Sequence, residues 1–92
     1  MADTNASSEL SPEWQSVSSL VGISAGTGCV IQNQGAGLVY AVISASQPDE
    51  GMLGWIIPDD YSATLYVPAG ENEVWLRAQS GVGRSLVNIQ EN

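Results

Sequence analysis

The 92-residue sequence contains no histidine, no lysine and no phenylalanine, one cysteine, and two arginines against ten acidic residues. Each shortage removes a class of chemistry. Without histidine the usual zinc, copper and iron ligand sets cannot be assembled, and the common base of a serine or cysteine nucleophile is missing. Only oxygen sites for calcium or magnesium remain, and no D-x-D-x-D-G loop is present. With Cys29 alone, no intramolecular disulfide can form. The formal net charge of −8 makes nucleic acid and anionic membrane poor partners, because phosphate contacts need arginine and lysine. No run approaches the roughly 18 apolar residues of a membrane span. The opening M-A-D-T-N-A-S-S-E has neither the basic start nor the apolar centre of a secretory signal. The expectation is a chain made in the cytoplasm, or released from it by another route.

What is present is alternation punctuated by turns. Turn clusters begin near Asn33, Ser46, Pro58, Pro68 and Gln79, at the spacing of an all-β domain. The clearest stretch is Val67 to Gln90. Val74, Leu76 and Ala78 alternate there with Trp75, Arg77 and Gln79, Ser80 to Gly83 reads as a turn, and Arg84 to Gln90 resumes the alternation. A closing hairpin is the economical reading. Leu38 to Ser44 is the most apolar run, of a length that suits a strand buried on both faces. Gly54 interrupts the run Gly51 to Ile57, which predicts a bulge or the close approach of another backbone. Ser11, Pro12 and the spacing of Trp14, Val17 and Val21 would permit a helix. The serines and valines between them favour an irregular strand instead.

These readings predict an all-β fold, a small antiparallel sandwich or barrel of six or seven strands. Residues 1–12 form a polar, flexible N-terminal arm and residues 13–92 a single domain. The core is expected to draw on Ile31, Leu38, Tyr40, Val42, Ile56, Leu65, Val74, Leu76, Leu86 and Val87, with faces uncertain by one residue wherever a bulge intervenes. A domain this small, without disulfide or metal, points to self-association as its remaining staple.

No catalytic kit emerges, and the expectation is a protein that is not an enzyme and carries no cofactor and no metal. Cys29 lies in an apolar strand without a neighbouring cation and reads as core. The carboxylates Asp59 with Asp60, Asp49 with Glu50, and Glu71 with Glu73 lie in turns of a domain with little cleft, so they read as solvated charge and not as a glycosidase pair. Gly26-Thr27-Gly28 and Gly81-Val82-Gly83 lack the G-K-[ST] ending of a phosphate loop. Trp14, Trp55 and Trp75 could form a sugar-stacking platform, but core or interface is the commoner use of tryptophan. If Val74 and Leu76 face inward, Trp75 and Arg77 face outward as interface residues. The candidate interface set is therefore Trp75, Arg77, Trp55, Trp14, Ser11 and Pro12.

At Thr27 to Gly35 (T-G-C-V-I-Q-N-Q-G), Tyr40 to Pro48 (Y-A-V-I-S-A-S-Q-P) and Val67 to Gly83 (V-P-A-G-E-N-E-V-W-L-R-A-Q-S-G-V-G), the chain resembles small all-β structural proteins of tailed-bacteriophage virions. That resemblance spans about Trp14 to Gln90. It implies a capsid decoration, or cement, protein on the outside of the virion, a homo-oligomer such as a trimer whose partner is the major capsid protein. The neighbouring implication is a tail or fibre module that binds host carbohydrate or joins virion components.

Overall fold

A computed structural model describes residues 5–49, 51, 54–58, 64–70, 72–81 and 85–91, and of residues 5 and 6 the backbone. The described chain is mostly β: β1 (Asn5–Glu9), β2 (Gln15–Ser16), one helical turn α1 (Val17–Val21), β3 (Cys29–Asn33), β4 (Val39–Ser44), β5 (Trp55–Ile57), β6 (Thr64–Val67), β7 (Glu73–Ala78) and β8 (Leu86–Glu91). The strands make two antiparallel four-stranded sheets, ordered β1-β8-β3-β6 and β2-β7-β4-β5. Buried residues of both sheets fall in one apolar cluster, which places a single core between them.

Period-two alternation sets that core. In β3, Cys29, Ile31 and Asn33 are buried and in β7 Val74, Leu76 and Ala78, while the intervening residues are half-buried. Strand β8 contributes Val87 and Ile89, and β4 contributes Val39 and Ala41. Here the expected register of β4 fails by one residue. Tyr40 and Val42 point away from the core, and Ile56, which pairs with Tyr40, is exposed. In the uniformly apolar run L-V-Y-A-V-I-S either register hides comparable surface, so the pattern alone could not choose. Nor is β4 buried on both faces. Leu38 and Leu86 are half-buried.

Three further expectations change. Strands β7 and β8 do not form a hairpin: β7 pairs with β2 and β4 in one sheet, β8 with β1 and β3 in the other. Both strands carry a strongly apolar inner face, and crossing between sheets buries each face against the core. The predicted arm is likewise built into the fold from Asn5 onward. Strand β1 pairs with β8 in a five-residue register, and Leu10 is buried in the core. The Leu10 amide donates to the Ser85 carbonyl (3.2 Å), and the next carbonyl, Ser11 O, accepts from the Ala78 amide (2.9 Å), so the chain passes from one sheet to the other at this point. Strands β1 and β2 thus raise the count from six or seven to eight.

The stretch after Ser16 is helical, where an irregular strand was expected. Ser16 Oγ accepts from the Ser19 amide (3.1 Å) as an N-cap, and Gly22, at φ 82°, closes the turn with its amide on Ser18 O (2.9 Å). Glu73 secures the turn from β7, its carboxylate accepting from the Ser18 amide (3.1 Å) and hydroxyl (2.5 Å). Capping from β7 offsets the weak propensity of V-S-S-L-V. Gly54 meets its expectation. Its φ is 69°, and a Cβ there would collide with the Ala41 carbonyl oxygen and Val42 Cγ2, so β5 sits tightly on β4.

Candidate interaction surface

The outer face of the β2-β7-β4-β5 sheet carries a transverse row of side chains. Arg77 stands opposite Tyr40 in the β4·β7 register, and Trp14 lies one residue before Gln15, the β2 partner of Leu76. The guanidinium is therefore held between two rings, with its Cζ 4.8 Å from the Trp14 ring centroid and 5.4 Å from that of Tyr40. Cation–π attraction to an aromatic face contributes about 0.5–1 kcal/mol at exposed sites and more when desolvated. Arg77 is the only basic residue among the described residues, and it sits where aromatic rings and half-burial hold it in place.

The segment after β4 folds over this face. Trp14 Nε1 donates to the Asp49 carbonyl (3.0 Å), Trp75 Nε1 donates to the Ser44 carbonyl (3.0 Å), and Pro48 is buried. Trp14 is buried outside the main core, under this segment. An open depression remains between the segment and β7, lined by Pro12, Glu13, Trp14, Gln47 and Arg77. It continues past Pro12 and Arg77 to Tyr40, Gln79 and Ser80. Ser11 fixes its rim: Gln15 Oε1 accepts from the Ser11 amide (2.9 Å) and hydroxyl (3.3 Å).

Five of the six candidate residues thus gather on one side. Pro12, Trp14 and Arg77 line the depression, Ser11 borders it, and Trp75 lies on the same sheet face two residues before Arg77. Trp55 is elsewhere. It lies at the opposite edge of the sheet, on β5, where Ala41, Ile43, Leu65, Tyr66, Val67 and Pro68 join it around a narrow apolar cleft. Trp55 pairs with Ala41 and so points to the core side, yet it is 63% exposed. Sequence reasoning missed Tyr40 as a surface residue and Gln47 as part of the depression. The S-Q-P turn gave no sign of which strand it would cover.

The other candidates resolve into structure. Cys29 is fully buried, and burial together with the negative charge of Glu73 pushes its thiol pKa up. Glu73 holds α1, and Asp49 lends its backbone carbonyl to Trp14. Glu50, Asp59, Asp60, Glu71 and Arg84 lie outside the described residues. Among the described residues no three His, Cys, Asp or Glu side chains gather to hold a metal ion, and no helix is long and apolar enough to cross a membrane. No family model, no curated protein and no solved structure matches the chain.

Proposed function

We propose that this chain is a structural protein of a tailed-bacteriophage virion, a capsid decoration protein that binds the assembled shell by its Arg77 face and stabilises it without catalysis. One observation carries the reading. Two of the three segments that bear the virion-protein resemblance, A-S-Q-P (45–48) and V-W-L-R (74–77), are far apart in sequence yet build the same surface, with both indoles bonded to the segment from Ser44 to Asp49. The third, at I-Q-N, supplies the buried Asn33, which bonds across to the β5 carbonyl of Ile57 in the sheet that carries this surface. A two-sheet sandwich with such a surface suits a building block that acts by contact. A protein that binds only assembled shells stabilises them by mass action, about 2.7 kcal/mol per site at a free concentration one hundred times Kd. Many symmetric copies multiply that modest term.

The carbohydrate-binding alternative needs open aromatic faces. Trp14 is already covered by Arg77 and buried, and the three tryptophans do not share a surface.

Purified protein is added to shells assembled from major capsid protein alone, and occupancy is read by sedimentation and cryo-electron microscopy. The expected result is saturable, stoichiometric binding that raises the shell's melting temperature. Gln47→Arg, which crowds the depression from an exposed position, should lower occupancy at least tenfold, while Ser24→Arg on a remote turn leaves it unchanged. Absence of shell binding by the unaltered chain, or glycan binding that Gln47→Arg abolishes, would overturn the proposal.

A further inference from the structure

The sheet β1-β8-β3-β6 turns its outer face away from the Arg77 surface, because the core lies between the two sheets. Its outward side chains are set by register. Ser7, Asn88, Gln32 and Thr64 stand in one row across the four strands, and Val30 stands opposite Tyr66 in the next. Tyr66 is 63% exposed. These outward positions are nearly free of charge. In a chain with ten acidic residues, Glu9 on the edge strand is the one charged residue among those described there.

The polar groups of this face are tied to one another. Asn88 Nδ2 donates to Ser7 Oγ (3.3 Å), Ser7 Oγ donates to Gln34 Oε1 (3.4 Å), and Gln34 Nε2 donates to Gln32 Oε1 (2.9 Å). Strand pairing does not need these side-chain bonds, and asparagine is depleted in strands, yet Asn88 lies on β8, which has a neighbour on both sides. Primary amides held side by side present N–H donors and carbonyl acceptors in close alternation. A carboxylate or phosphate matches only the donors, and an ammonium only the acceptors. A hydroxyl donates and accepts at once, so a ligand bearing several of them can join such a row without leaving a polar group unmet. The open aromatic ring that the tryptophans do not supply stands beside the row as Tyr66. One side of a pyranose is lined with C–H groups, and a phenol ring gives it apolar contact while its own hydroxyl stays wet. A protein contact would call for a cluster of aromatic and arginine anchors, and this face has a single exposed ring and no arginine among its described residues.

We infer that this face binds a neutral oligosaccharide across β8, β3 and β6, with sugar hydroxyls against Asn88, Gln32 and Gln34 and one pyranose stacked on Tyr66. The binding does not rest on the capsid reading, which uses the other sheet. An open face covers one side of a ligand where a pocket encloses most of it, so a single site is weak, with a Kd of about 1 mM. Because the ligand carries no charge, salt leaves its affinity unchanged.

The isolated full chain is titrated with maltohexaose, cellohexaose and mannohexaose at about 50 and 500 mM NaCl. Binding is read by saturation-transfer NMR and by amide shifts of the ¹⁵N-labelled protein. The expected result is saturable binding of at least one of the three, equal in both salts, with shifts centred on β8, β3 and β6. Tyr66→Ala and Gln32→Ala should each weaken it at least about fivefold, with circular dichroism verifying the fold. If one variant unfolds, the other decides. Gln47→Arg, on the opposite sheet, should leave sugar binding unchanged, so this result and shell binding stand or fall separately. No binding of any of the three at about 10 mM, affinity that falls with salt, or binding indifferent to both Tyr66→Ala and Gln32→Ala would overturn the inference.

Discussion

Replacing Asn33 by aspartate changes one atom and should remove most of the stability of the domain at neutral pH. Asn33 is wholly buried at the end of β3. Its Nδ2 donates to Gly37 O (2.8 Å) and to Ile57 O (3.1 Å), and its Oδ1 accepts from the Gly35 amide (3.1 Å). The side chain thereby shapes the β3–β4 turn and ties one sheet to β5 of the other. In Asn33→Asp a carboxyl oxygen replaces the amide nitrogen and faces two carbonyl oxygens. A protonated carboxyl can still donate once, leaving one buried acceptor unmet at about 1–3 kcal/mol. An ionised one donates nothing and is repelled, so the folded state holds the group neutral and its pKa rises above the unfolded value of about 3.9. The protonation penalty is then absent below about pH 4 and grows by about 1.36 kcal/mol per pH unit above it, until the raised folded pKa is passed. If that pKa lies above 7, the added cost at pH 7 is about 4 kcal/mol, comparable with the whole stability of a small domain. Urea unfolding followed by tryptophan fluorescence at pH 4, 5.5 and 7 measures this. Asn33→Leu, which has no charge to lose, should show a loss of about 2–4 kcal/mol that does not vary with pH. An Asn33→Asp protein within about 1 kcal/mol of the unaltered chain at pH 7, or equally impaired at all three, would refute this role.

Leu10→Ala should cost about 2–4 kcal/mol in urea unfolding, and deletion of residues 2–10 should cost more, because the deletion also removes strand β1 from β8. The Cys29 thiol should react with a disulfide reagent at pH 8 only at the rate of unfolding. Because its folded pKa is raised, its contribution is intact below the unfolded thiol value of about 8.5 and is lost as pH climbs through the folded one, so urea midpoints should fall above about pH 8.5. Gly54→Ala forces a Cβ into the backbone of β4 at a positive φ, and should lower stability by more than about 2 kcal/mol while changing Trp55 emission.

The residues that announced themselves in sequence were those whose environment is set locally. Val74, Leu76, Trp75 and Arg77 took the faces their alternation predicted, because a polar or bulky residue at every second position leaves one register acceptable. Gly54 marked a close approach for an equally local reason. Strand β4 had no such marker, and Tyr40 was misplaced. Partners were illegible throughout. Strand β1 pairs with residues some 80 positions away, and N-A-S-S-E carries no apolar pattern because an edge strand joins by its backbone. The same polarity that suggested a loose arm is what suits an edge facing water.

Crossing between sheets, and not hairpin closure, explains why the interaction surface could not be read either. Because β7 lies between β2 and β4, its outward residues meet two remote neighbours, Trp14 and Tyr40, each contributed by a segment whose own pattern says nothing of Arg77. A β7–β8 hairpin would have set Arg77 beside residues of β8 and left Trp14 free. In the observed order, a single cation serves two rings and the Ser44–Asp49 segment folds over the indole beside it, so a chain with only two arginines places one of them where it organises three elements. At the far end of the same sheet β5 has a neighbour on one side only, and the core-facing set from Ala41 to Trp55 meets solvent. The two surfaces therefore differ in their chemistry. The first is polar, with a guanidinium held against two aromatic rings, a composition like that of a hydrated contact. Among the described residues, the second is lined by apolar side chains and by no charged one.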